Sequence, residues 1–345
     1  MRWVYVTGCD SGFGRIMVEK IRAMDGTGIF AGVYLSASVD ELHALGDPSV
    51  VPVQVDVTDE GSVQNAAKFI REHLQNAVHN AESGAGAGTV PALYGVCNNA
   101  GILINPGPTE WTPLSTYKKM MAVNVFGMAD VTRSVLPMIR KGKGRIVNTA
   151  SIAGRAGLPS QPAYCASKYA VEGYSEVLRR DMLPWGVTVH IIEPGIFPNT
   201  GLYAKFQGGL DKLWEDLDDQ TKEDYGEVFY KKFRERLGKA LNLGSNTDSS
   251  KVPDAMLDAL FSDAPKYRYR VGNDSKYLVT ALNMMHESSQ DALWMYPSLK
   301  SSDAHPAAAP EDGAAEAKAR YRSDWSRTLL LAALGFMGYR AVSRL

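Results

Sequence analysis

Six short apolar runs rich in β-branched and aromatic residues, at 3–7, 29–35, 50–55, 93–98, 145–149 and 188–192, are separated by stretches of helical pattern at 13–24, 59–75, 114–139 and 163–183. Few architectures accept that order. A strand, a helix and a second strand in succession form a crossover unit whose two strands run parallel. Repeated along the first two-thirds of the chain, the alternation predicts an α/β fold, a doubly wound and mostly parallel sheet with helices on both faces. A further run at 267–271 would supply a seventh strand.

Three segments depart from the alternation. Residues 76–90 are rich in Gly and Ala and read as a loop inserted before the fourth strand. Residues 196–250 follow the sixth strand and carry a charged, aromatic helical stretch, the pattern of a small helical lid. Residues 296–324, rich in Ala, Pro, Ser and charge, read as a linker between a main domain over 1–295 and an apolar tail over 325–345. Within the tail, 328–339 would make a helix roughly 18 Å long at about 1.5 Å per residue. A bilayer core is about 30 Å thick, so this segment is too short to span one. It reads as a membrane-surface anchor, as a helix packed on the protein or a partner, or as a disordered end.

Bulk properties narrow the classes. An apolar fraction of 45% is ample for a buried core, and 37 basic against 38 acidic residues give a net charge of −1. That balance offers no electrostatic footprint for nucleic acid. Cys9, Cys97 and Cys165 are far apart, odd in number and without metal-ligand spacing, so buried or loop thiols are expected rather than a disulfide framework or a metal site. Because an apolar run begins at position 2, a signal peptide is not expected within this sequence.

The first strand runs directly into T-G-C-D-S-G-F-G, the turn Thr7, Gly8, Ser11, Gly12, Phe13, Gly14, and then into a helical pattern. Strand, glycine turn and helix make the phosphate-binding element of a dinucleotide (Rossmann) fold. Gly8 allows the tight turn, Gly12 lets the backbone approach a pyrophosphate, and Gly14 lets helix and strand pack closely. The helix N-terminus then offers free N–H groups to the phosphates.

Further residues stand in order on the predicted elements. Asp56 and Val57 follow the third strand. Asn98, Ala100 and Gly101 (N-N-A-G) follow the fourth. Asn124 lies in V-N-V-F-G, Ser151 ends the fifth strand, Tyr164 and Lys168 form Y-x-x-x-K, and Pro194–Gly195 follow the sixth strand. Together with the G-x-x-x-G-x-G spacing, this set resembles the short-chain dehydrogenase/reductase family over about 1–270. The resemblance implies an NAD(P)-dependent oxidoreductase acting on a CH–OH or C=O group, with Asn124, Ser151, Tyr164 and Lys168 catalytic and the other residues at the cofactor. It implies that Asp56 meets the adenine amino group and that Pro194–Gly195 dock the nicotinamide carboxamide. A helix N-cap is the plain alternative for Asp56, although Thr58 or Asp59 could fill that role.

The chemistry needs a base within hydrogen-bond reach of the alcohol. A free phenol, with a pKa near 10, works poorly at neutral pH, and a neighbouring cation lowers it. Tyr164 and Lys168 are four residues apart, so a helix puts them on one face. The resemblance adds Ser151 holding the substrate oxygen and Asn124 supporting a water-linked relay from Lys168. For the cofactor, an acid ending the second strand would select NAD. Here that position reads Tyr34-Leu35-Ser36, with neither an acid nor an Arg for a 2′-phosphate. NAD is expected, NADP less so.

Within the family, 107–114 (GPTEWTPL), 163–182, 191–195 (IIEPG) and Trp214 with Tyr225–Gly226 are similar to retinol dehydrogenases, 17β-hydroxysteroid dehydrogenases and D-3-hydroxybutyrate dehydrogenase. A lipophilic alcohol, retinoid or hydroxysteroid, is the first expectation and D-3-hydroxybutyrate the alternative; a non-catalytic cofactor-binding sensor is remote because Tyr164 and Lys168 are both present. Phe197, Tyr203, Phe206 and Trp214 suit an apolar pocket wall or the lid's own core, and Lys205 is the cation early in that segment. The resemblance also implies a homo-oligomer through 114–139 and 163–183. An intracellular site on endoplasmic reticulum or mitochondrion is left open, since membrane-bound relatives carry their anchor before the first strand.

Overall fold

The computed structural model describes residues 1–81, 91–200, 206–243, 248–287, 289–291 and 306–309. Seven strands form one sheet: β1 (Arg2–Thr7), β2 (Thr27–Val33), β3 (Val50–Gln54), β4 (Gly95–Asn98), β5 (Arg145–Thr149), β6 (Thr188–Pro194) and β7 (Arg268–Val271). Their order is β3-β2-β1-β4-β5-β6-β7, and every neighbouring pair is parallel. Strand order reverses between β1 and β4, which opens a crevice beyond the carboxyl ends of those two strands.

Both faces of the sheet are buried. Alternate strand residues point to opposite faces, so Tyr5, Phe30, Val96 and Ile146 pack on one side with α3 (Glu60–Ala81), α5 (Met128–Lys141) and α6 (Pro162–Met182). Val4, Val6, Ile29, Cys97 and Val147 pack on the other with α1 (Gly12–Arg22), α2 (Ser36–His43) and α9 (Lys251–Phe261). The three cysteines are free and buried, as their spacing suggested.

Several elements differ from the sequence reading. The loop expected from 76 begins later, because α3 continues to Ala81. Alanine favours helix, and the first glycine of the stretch comes only at 84. Residues 82–90 lie outside the described residues. α2 was not anticipated; its eight residues bury only Ser38 and Leu42, too little to print a helical period. The helix expected over 114–139 is divided into α4 (Leu114–Met121), a π-helical turn Ala122–Gly127, and α5. Gly127 in that turn sits against β3's exit, where an added Cβ would meet the Val57 carbonyl oxygen at 2.6 Å.

The segment expected as a lid carries α7 (Phe206–Glu215) and α8 (Asp219–Leu243), the latter broken at Gly226 (φ 77°, ψ 150°). Trp111, 1% exposed, anchors it. Its ring lies 5.2 Å from Trp214 and 5.1 Å from Tyr225 and is flanked by Phe229 and Phe233. Trp214 in turn stacks on Tyr230 at 4.7 Å. Part of the expected linker is docked: the Ala307 and Ala308 N–H groups donate to the carbonyls of Tyr225 and Asp224 at 3.1 and 2.8 Å. Among the described residues no helix is long and apolar enough to cross a membrane. The tail 325–345, Tyr203 and Lys205 lie outside the described residues.

Candidate active site

The crevice at the strand-order reversal is a cleft of about 580 Å³, within the range of small-molecule sites. Gly8, Ser11, Gly12 and Phe13 form one wall, Asp56 and Val57 a second, and Ala100 and Gly101 a third; Ser151, Tyr164, Lys168, Pro194 and Gly195 line it as well. These residues thus come together from five strand ends and α6.

The glycine turn is shaped for close backbone approach. Gly8 (φ 73°) and Gly12 (φ 57°) adopt left-handed backbone, which side-chain-bearing residues rarely accept. A Cβ on Gly8 would stand 2.8 Å from the Ala100 Cα, and one on Gly14 would stand 2.1 Å from the Gly8 carbonyl oxygen. Ser11, extended before α1, makes no side-chain cap. Ser11 thus leaves the first-turn N–H groups of α1 without a capping side chain among the described residues, which fits a nicotinamide dinucleotide's pyrophosphate.

Some expected cofactor residues support the cleft instead of lining it. Thr7 Oγ1 accepts the backbone N–H groups of Asn99 and Ala100, both at 3.1 Å, clamping β1 to the loop after β4. Gly14 serves helix–strand packing. Asn98 corrects the sequence reading more sharply. It is the last residue of β4, so strand parity turns it into the core, where its Nδ2 donates to Thr132 Oγ1 at 2.9 Å and Asn148 Oδ1 at 2.8 Å. The cleft belongs to its neighbour Asn99, whose Nδ2 donates to the carbonyls of Thr7 and Gly8 at 3.0 and 3.2 Å.

Asp56 does line the cleft. Its Oδ1 accepts from the Thr58 N–H at 2.9 Å and the Thr58 hydroxyl at 2.7 Å. Capping falls to Asp59, which accepts the Gly61 N–H at 2.9 Å at the start of α3.

Tyr164 and Lys168 share one face of α6, and Lys168 Nζ lies 5.7 Å from the phenol ring centre. Nζ donates to the Thr149 carbonyl at 2.8 Å. Burial pushes Tyr164 up to about 12, while a hydrogen bond with Ser151 pulls it down. Burial pushes Lys168 down to about 8, and Glu172 opposes that. Burial is the larger influence on the phenol, because desolvation disfavours the phenolate, and the Ser151 hydrogen bond acts in the direction of the expected acidification. Ser151 Oγ also accepts the Ala153 N–H at 3.1 Å.

Asn124 sits in the π-helical turn, 2% exposed. Its Oδ1 accepts the Ile102 N–H at 2.8 Å; its Nδ2 donates to the Ile102 carbonyl and to Ser167 Oγ, both at 3.0 Å. A Cβ on Gly101 would lie 3.4 Å from Asn124 Oδ1 and 3.7 Å from Lys168 Nζ, so the three residues meet, with Asn124 behind the cleft wall.

Asp10 was not anticipated. It lines the cleft from inside the glycine turn, and its carboxylate accepts the backbone N–H groups of Tyr34 and Leu35. An acid thus stands at the end of β2 although β2 does not encode one there. Its signal in the sequence was an acidic residue inside the glycine turn. Lys119 and Val123 of the segment around α4 line the cleft too. Of the lid aromatics, Phe197 lies edge-on to Phe13 at 5.6 Å, and Trp214 belongs to the lid's own core. Phe206 begins α7.

A family model described as short chain dehydrogenase matches residues 2–208. Retinol dehydrogenase 16 of Mus musculus is 35% identical over 301 residues, covering 87% of this chain and 89% of that protein. The 17-beta-hydroxysteroid dehydrogenase type 6 of Bos taurus is 32% identical over 291 residues, covering 84% and 86%. A solved structure, a short-chain dehydrogenase from Streptomyces avermitilis, superposes with a TM-score of 0.63 at 24% identity over 86% of this chain and 97% of that one, a likeness of fold.

Proposed function

The chain belongs to the short-chain dehydrogenase family, and from that premise we propose that it moves a hydride between a nicotinamide cofactor and the CH–OH or C=O group of a lipophilic alcohol such as a retinoid or hydroxysteroid. The observation that carries this reading is the convergence of Ser151, Tyr164 and Lys168 with the glycine turn in one cleft.

Gly8, Gly12 and the α1 N-terminus would hold the pyrophosphate, Asp56 the adenine amino group, and Pro194–Gly195 the carboxamide. The bound nicotinamide supplies the hydride acceptor or donor. Ser151 orients the substrate oxygen, and Tyr164 exchanges a proton with it. Lys168 would stabilise the phenolate as it forms and would hold the cofactor ribose; a charge that develops only during reaction is best met by a group already in place. Asn124 supports a water-linked relay toward Lys168 by fixing the Gly101–Ile102 backbone.

Two finer points follow from the same cleft. NAD is the cofactor we favour, supported by the Asp10 carboxylate at the end of β2, since an acid there favours the ribose hydroxyls over a 2′-phosphate. The substrate is apolar, because the phenol sits in a cluster with Met120, Ala153, Ala163 and Cys165, against which Ile102, Leu103, Ile104, Tyr117 and Leu158 pack. The chain also forms a homo-oligomer in this reading: Leu114, Phe126, Tyr169 and Val177 are exposed along the α4–α6 region, and light scattering tests it.

The deciding experiment is a side-by-side assay of retinol, androstane-type alcohols and D-3-hydroxybutyrate with NAD and NADP. Turnover of a retinoid or steroid with NAD is expected. Turnover of the hydroxy acid alone rejects the lipophilic reading, and a lower KM for NADP rejects the cofactor preference.

A further inference from the structure

Beneath the reactive pair, α6 carries a second polar layer. Tyr164, Lys168, Glu172 and Glu176 succeed one another at four-residue steps on one helix face. Glu172 is 5% exposed and Glu193 of β6 is fully buried. The same Nη1 of Arg268, from β7, bonds Glu172 Oε2 and Glu193 Oε1, while its Nη2 donates to Glu176 at 3.0 Å. Arg270 Nε donates to Glu193 Oε2 at 3.2 Å, and Arg155 Nε lies 3.9 Å from Glu193 Oε1. Arg268 is thus divided between two buried carboxylates. Glu172 keeps its other oxygen, Oε1, buried without a hydrogen-bond partner among the described residues. Gly154 closes the layer: a Cβ there would stand 2.8 Å from the Lys168 carbonyl oxygen and 3.0 Å from Glu172 Cγ.

A buried carboxylate with one oxygen unpartnered among the described residues acts on the cations around it and is less strongly screened than one at the surface. One helical turn away stands Lys168, whose Nζ donates to the neutral Thr149 carbonyl and faces the Tyr164 ring. We propose that Glu172 is a positioning residue for the reactive pair, its carboxylate, held by Arg268 against Glu193, keeping the Lys168 ammonium charged and aimed at Thr149. This rests on the reading of Tyr164 and Lys168 as the reactive pair. The groups facing Glu172 are Lys168, Tyr169 and Glu176 on its own helix, Glu193 on β6, Arg268 on β7 and Arg155 after β5.

The charges fix the sign. Burial lowers Lys168, and the Glu172 carboxylate raises it. Burial and Glu193 raise Glu172 itself, against the pull of Arg268. Neutralising Glu172 therefore lets Lys168 lose its proton at lower pH.

The test follows the Lys168 side-chain ¹⁵N resonance in the full-length, cofactor-free protein across pH, beside the pH profile of kcat. In Glu172→Gln the Lys168 midpoint should fall by roughly one pH unit, and kcat above that midpoint should fall about tenfold with little change in KM. Glu172→Asp should restore the wild-type midpoint, and Glu176→Gln, which touches the same Arg268, should leave it unmoved. An unchanged midpoint in Glu172→Gln, or an equal shift in Glu176→Gln, overturns the proposal. If Glu172→Gln does not fold, the wild-type resonance decides: it must show an inflection where the Glu172 carboxyl ¹³C signal titrates, and its absence is equally fatal. Absence of turnover in the wild type would count against the dehydrogenase reading, while the resonance still reports on Glu172.

Discussion

Asp10 Oδ1 accepts the backbone N–H of Leu35 at 2.9 Å, so a residue of the glycine turn anchors the exit of β2. Under the proposed preference for NAD, that carboxylate would favour ribose hydroxyls over a 2′-phosphate. Asp10→Asn keeps an oxygen for that anchor and removes the charge. The ratio of kcat/KM for NAD over NADP should drop about tenfold, or ~1.4 kcal/mol. A ratio unchanged within twofold would show that another group sets the preference.

Tyr164→Phe removes the proton-exchanging oxygen and keeps the ring in its apolar cluster. Turnover should fall by at least about 10²-fold, with NAD affinity, read by fluorescence quenching, within a few-fold of wild type. Retained turnover would place the base elsewhere.

Lys168 gives a stability signature. Its folded value, lowered to about 8 by burial, lies below that of an exposed lysine. The folded state therefore binds fewer protons than the unfolded one through the interval between them. Stability tied to this group is present above pH ~10.4, the ordinary lysine value, and is lost as pH falls through about 8. In denaturant titrations, wild type should gain stability relative to Lys168→Met from pH 8 to 10. A gap that does not change with pH removes the buried charge as its cause.

Gly14→Ala drives a Cβ to 2.1 Å of the Gly8 carbonyl oxygen. Backbone cannot yield as a flexible side chain can, so the turn must open. A loss of about 1–3 kcal/mol is expected, together with NAD binding weakened at least tenfold. Calorimetric titration showing wild-type affinity would contradict the packing argument.

Trp111→Ala empties the centre of the lid. Large aromatic truncations cost about 3–5 kcal/mol, and here the loss should fall on α7 and α8 while the sheet persists. Hydrogen exchange should show faster exchange in the lid alone, and KM for an apolar alcohol should rise more than KM for NAD. Uniform exchange throughout the chain would mean the lid does not open as a separate unit.

The strand and helix order was legible because buried parallel strands must be apolar and helices keep their own period, so β1 to β7 lie within a few residues of where hydrophobicity put them. The short helix α2 was not, since two buried side chains leave no periodic trace. The division of 114–139 by the π-helical turn was hidden too: Gly127 in that turn packs against Val57, a neighbour that no local window contains.

The residue types at the site were set by the chain itself: glycine where the backbone turns left-handed, and a tyrosine and a lysine one helical turn apart. Their environment was not. Strand parity at the end of β4 sent Asn98 into the core and left the cleft to Asn99. Folding brought Asp10 to β2, Asn124 behind Gly101, and Arg268 between Glu172 and Glu193. Hydrogen bonding and desolvation depend on distance in space, which a sequence fixes only by folding.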